Sequence, residues 1–154
     1  MASEQTHYRV FLGFYLGLRG DHHGIYVETD VNTNPVEPSQ QNRGQLFHSR
    51  GSLQTGMHLE VKPVICPLFS VSGKAVQQLG WVSRDNFRER IEEVCRGVPQ
   101  PKKQFQLNKR LFPDEPLRHC QHWASDAVEA LFHAGVLEPL GPSDNGEVVY
   151  REDI

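Results

Sequence analysis

The hydrophobic pattern divides the chain in two. Up to about residue 83, apolar residues come in short runs separated by turn chemistry; beyond it they recur at helical spacing. Residues 8–18 (YRVFLGFYLGL) are rich in aromatic and branched side chains, which suit a pleated surface, and predict a buried strand. The RGD that follows breaks it. Residues 22–29 (HHGIYVET) resume as a second strand able to pair with the first as a hairpin. Residues 30–44 hold two prolines, three asparagines and little apolar content, which predicts a long loop. Residues 45–51 and 56–65 read as third and fourth strands. Pro63 and Pro67 put the fourth at a sheet edge or mark its end, because proline cannot donate to a ladder. Residues 74–83 (KAVQQLGWVS) fit neither period cleanly, and an extended segment is favoured over a helix.

Two helices follow. In residues 83–97, Phe87, Ile91, Val94 and Cys95 fall on one face, Ser83 or Asp85 can cap the start, and Gly97 and Pro99 stop it. Cys95 on that stripe reads as a packing thiol. Residues 98–113 form a basic connection expected to be a solvated loop. In residues 117–131 (LRHCQHWASDAVEAL), Cys120, Trp123, Ala124, Ala127, Val128 and Leu131 share a face that Phe132 extends. Residues 141–154 read as a flexible tail with a short strand near EVVY, and residues 1–7 as a flexible start. Strands first and helices afterwards predict one α+β domain, an antiparallel sheet of about four to six strands packed against two main helices.

Composition narrows the function classes. The 154 residues suffice for one domain with one core. A net charge of −3 supplies no electrostatic reason to expect nucleic acid. No apolar run is long enough to span a bilayer, and the first residues do not resemble a signal peptide. Three cysteines, an odd number without secretory context, read as reduced thiols of a cytoplasmic protein.

Cys120 is the residue with chemical promise. It lies at the start of its helix, behind a proline- and acid-rich FPDEP segment. Free N–H groups and partial positive charge there favour a thiolate and can hold an oxyanion. A thiol nucleophile needs a base, and histidine is the usual one. Of eight histidines, His119 and His122 flank Cys120 but project in other directions from the helix. His22, His23 and His48, on predicted strands, remain as partners. From spacing alone a structural thiol and a nucleophile stay open. A zinc site is disfavoured, since no compact ligand spacing occurs among the candidates.

A resemblance bears on the choice. The strand HHGIYVE resembles the H-W-A-I-Y-V-G strand of the lecithin–retinol acyltransferase group, LFHS resembles its following histidine strand, and HCQHWA resembles its cysteine segment. That group and the NlpC-type peptidases belong to the circularly permuted papain-like superfamily. The histidine–histidine–cysteine order matches the permuted form. CQHWASDAVEAL also resembles a helix of small fungal proteins of unknown function. The resemblance implies a permuted papain-like fold without cofactor or metal. Cys120 would be the nucleophile, His22 the base and His48 its orienting partner. Tyr15, Gln121, Trp123 and His23 would stand near the oxyanion or substrate. His119 departs from the asparagine found before the family cysteine, and no apolar anchor follows the helix. A soluble small-molecule, acyl or peptide substrate is therefore expected rather than a membrane lipid. The alternatives are a deubiquitinase-like isopeptidase and a non-catalytic binding module that keeps the fold.

Overall fold

The computed structural model describes residues 6–17, 20–31 and 41–153. Five long strands form the framework: β1 (His7–Tyr15), β2 (His22–Asp30), β3 (Arg43–Ser52), β4 (Gly56–Ile65) and β5 (Gly73–Ser83). The helices are α1 (Glu89–Gly97) and α2 (Cys120–His133). Short strands β6 (Phe105–Gln106), β7 (Lys109–Arg110), β8 (Glu138–Pro139) and β9 (Val148–Tyr150) complete the set. The main sheet runs β4-β3-β2-β1-β5-β8, with β9 also on β5. Its pairings are all antiparallel, so the chain is α+β. β4 is an edge strand, in keeping with its prolines. The predicted loop at 30–44 lies largely outside the described residues, as do residues 1–5.

Both faces of the sheet are covered. On one, Val10, Ile25, Val27, Phe47 and Val82 pack against Ile91 and Cys95 of α1 and Trp123, Ala124, Ala127 and Leu131 of α2. On the other, Tyr15, Tyr26, Leu46 and Cys66 form a smaller cluster beside a 3₁₀ turn at Pro67–Phe69. Ile25, Tyr26 and Val27 are therefore all fully buried, which is why β2 reads as an unbroken apolar run rather than an alternation. Trp123, wholly enclosed, is a core residue.

Two local features depart from expectation. The first helix begins at Glu89 rather than near Ser83. Arg88 adopts a left-handed φ of 76° in a γ-turn, closed by Glu89 N–H to Phe87 O at 3.1 Å, and this interrupts the helical path. The basic connection is not a purely solvated loop. It carries the β6–β7 hairpin, and the buried Gln104 side chain accepts from Arg118 N–H and donates to Arg118 O, both at 2.8 Å. A buried amide satisfied on both sides ties this segment to the approach to α2. In residues 141–153 the short strand expected near EVVY is β9, paired with β5, and Arg151 Nη1 donates to Ser70 O at 2.7 Å.

Candidate functional site

α2 starts at Cys120, and the flanking histidines build that start. His119 Nδ1 accepts from Gln121 N–H at 3.4 Å, while His122 Nδ1 accepts from His119 N–H at 3.0 Å. Each uses a ring lone pair, so both rings are neutral in this reciprocal cap. Burial, together with His122, lowers the pKa of His119 and favours that state. Neither histidine is therefore free to serve as a base. At the first helical position, the Cys120 N–H has no acceptor among the described residues. Cys120 is the partly exposed member of three free cysteines. Burial pushes the thiols of Cys66 and Cys95 up to about 11 and about 12, which makes both inert.

The beginning of β2 docks on the beginning of α2. Gln121 Nε2 donates to Asp21 O at 2.6 Å, so the chain neighbours of Cys120 and His22 are joined directly. This uses one of the two Gln121 amide hydrogens on the backbone.

His22 and His48 meet. His22 Nε2 lies 2.7 Å from His48 Nδ1, and His48 Nε2 lies 2.7 Å from Glu60 Oε1. Glu60 also accepts from Arg50 at 2.6 Å. Those bonds to Arg50 and then to His48 hold its carboxyl down at about 2, so it is ionised and can only accept. His48 must then donate from Nε2. Burial lowers its pKa against the opposing pull of Glu60, so the ring is neutral and Nδ1 is a lone pair. That lone pair accepts from His22 Nε2–H. His22 is left with an unprotonated Nδ1, without a hydrogen-bond partner among the described residues. Burial, reinforced by His48, holds this imidazole neutral by dropping its pKa to about 4. The relay is thus a directed chain that begins at a fixed carboxylate and ends at a free basic nitrogen.

Glu60 was not anticipated from sequence. Its signal is the antiparallel register that sets it opposite His48, and nothing local specifies that register.

Strand alternation separates the two adjacent histidines. His22 shares the face of Tyr26 and crosses to Tyr15, ring centroids 6.2 Å apart. His23 shares the helix-covered face of Ile25 and stacks edge-on with Phe14 at 4.7 Å. Burial lowers the His23 pKa, and the nearby His119 adds to this against Asp21. Cys120 makes no side-chain hydrogen bond to any of these histidines among the described residues. The structure therefore unites His22 with His48, brings the segments of His22 and Cys120 to one corner, and turns His23 toward the α2 side.

Tyr15 lines an open cleft of about 290 Å³ with His22, His48 and Leu46. Its hydroxyl is buried without a partner among the described residues, and burial raises its pKa so that it stays protonated. Among the described residues, no cluster of three or more histidines, cysteines or acids could hold a metal, and no helix is long and apolar enough to cross a membrane.

No curated protein and no solved structure matches the chain. A family of unknown function, DUF6540, matches residues 10–138. The matched span runs from β1 to β8 and includes the relay and both helices. Because it covers most of the sequence, the chain belongs to the DUF6540 family.

Proposed function

We propose that the protein is a cysteine-dependent hydrolase or acyltransferase of the permuted papain-like type, acting on an amide, ester or thioester of a soluble substrate. The observation that carries this is the His22–His48–Glu60 relay, which leaves a lone pair on His22 Nδ1, in a strand whose start is joined to the start of α2 by Gln121 and Asp21. A half-buried, oriented imidazole with a carboxylate behind it is what a thiol nucleophile requires. Cys120 transfers its proton to His22 and attacks the carbonyl carbon. The developing oxyanion is met by the free Cys120 N–H at the helix start. His22 then returns the proton to the leaving group, and water, an alcohol or an amine resolves the thioester. His48 and Glu60 are positioning residues that set the tautomer of His22.

A second reading keeps the same chemistry with His23 as base. It is favoured by the position of His23 on the helix-covered face, where His119 influences its titration. Iodoacetamide labelling of the native chain, followed cysteine by cysteine, separates these. The expected result is fast modification of Cys120, slow modification of Cys66 and Cys95, and a marked slowing in His22→Ala but not in His23→Ala. The reverse pattern assigns the base to His23. Equal, slow labelling of all three cysteines, unaffected by either substitution, leaves a non-catalytic module.

A further inference from the structure

We infer that the cleft beside His22 is a subsite for an anionic substrate group, a carboxylate carried on an apolar body, with Lys62 as its counter-ion. The inference rests on the functional reading above, because it assigns a substrate class to the same site.

Three observations carry it. First, the walls are apolar: Leu46, Val64, Ile65 and the ring of Tyr15 line the cleft, whose volume of about 290 Å³ suits a small molecule or the end of a chain. Second, charge in the cleft is one-sided. Lys62 is the only permanently charged residue among the described lining residues, and no carboxylate lines it. Lys62 projects from β4 directly opposite Leu46 of β3, with its side chain about half exposed. Its nearest acid, Glu60, lies 3.4 Å from Lys62 Nζ and already accepts from both Arg50 and His48. One carboxylate thus serves two fixed cations, which leaves an excess positive charge beside the cleft. Third, one lining residue carries a donor with nothing to donate to: Tyr15 is 9% exposed, and its buried hydroxyl lacks a partner among the described residues. A buried donor left unpaired is costly, and a ligand acceptor would relieve it. Apolar walls, an ammonium that shares its one carboxylate with Arg50 and an unpaired hydroxyl together fit an apolar anion better than a neutral or cationic ligand. His22 lies in the same wall, so a substrate held by its carboxylate at Lys62 presents its remaining length to the relay.

The test is binding of hexanoate, with hexan-1-ol as the uncharged control, to the 154-residue chain by calorimetry and by histidine NMR. The expected result is hexanoate binding about fivefold or more tighter than hexan-1-ol, with a perturbed His22 imidazole signal. Lys62→Met should lose that advantage, and Lys62→Arg should keep most of it. Lys62 is exposed, and unchanged thermal unfolding of both variants verifies that the fold is intact. No binding of hexanoate, equal binding of the two probes, or an unaltered Lys62→Met affinity each overturns the inference. Repeating the titration in Cys120→Ser separates it from the catalytic reading. Binding that persists there while Cys120 of the wild type proves unreactive leaves the subsite standing and removes the nucleophile. A reactive Cys120 without hexanoate binding does the opposite.

Discussion

Replacing Glu60 by glutamine tests the relay at its anchor. The ionised carboxylate can only accept, and so forces a proton onto His48 Nε2, and through it onto His22 Nε2. An amide removes that compulsion. If its NH₂ turns toward His48, it donates to Nε2, the His48 proton moves to Nδ1, and His22 must accept at Nε2 and carry its own proton on Nδ1. The basic nitrogen is then blocked. The bond at stake is 2.7 Å long and charge-assisted, worth about 1.5–3 kcal/mol against about 1 kcal/mol for its neutral equivalent. The lost tautomer bias is about 1–2 kcal/mol, roughly 5- to 30-fold in the population of competent His22. The lost contact to Arg50 adds little, because that side chain is largely exposed. The assay is the second-order rate of Cys120 alkylation at pH 7, read by mass spectrometry, with ¹⁵N shifts of His22 reporting the tautomer. The expected outcome is a rate lowered by roughly 5- to 30-fold with growth of the Nδ1–H form. A folded Glu60→Gln protein with unchanged His22 nitrogens and a rate within about twofold of wild type would refute the directed relay.

Other consequences follow from the same structure. His22 has its pKa lowered by burial and His48 from 6.5 to about 4, so its contribution to stability is complete above pH 6.5 and is lost as pH falls toward 4. The full shift would be worth about 3 kcal/mol, and solvent reaching the partly exposed ring cuts this to about 1–2 kcal/mol. Urea unfolding at pH 7 and pH 4.5 should show a drop of that order which His22→Gln removes. Gly44→Ala places a methyl 1.8 Å from Val27 O, a backbone atom of the neighbouring strand, and should cost about 2–4 kcal/mol in chemical unfolding. Arg88→Gly should raise stability by about 1 kcal/mol in the same measurement, because glycine accepts the 76° φ that arginine occupies under strain.

Much of the architecture is legible in local pattern. The five long strands, the buried stripe of α2 at Trp123, Ala124, Ala127 and Leu131, and the edge placement of β4 follow from residue type and period. The start of α1 does not, because the γ-turn at Arg88 uses a backbone conformation that arginine does not advertise. The histidine cap of α2 is equally opaque. Ser, Thr, Asp and Asn are the usual capping signals, and imidazole rings act here instead.

What the sequence determined by itself is the class of the fold, the inward face of each helix and the candidates Cys120, His22, His23 and His48, since each depends on neighbours within a few positions. The tertiary structure decided which of them meet. His48 finds Glu60 through the β3–β4 register, and His22 finds His48 across β2 and β3, pairings set by long-range packing. Which of His22 and His23 faces α2 was also decided there. With both faces of β2 buried, its run of apolar residues carries no period-two signal to reveal an inside and an outside.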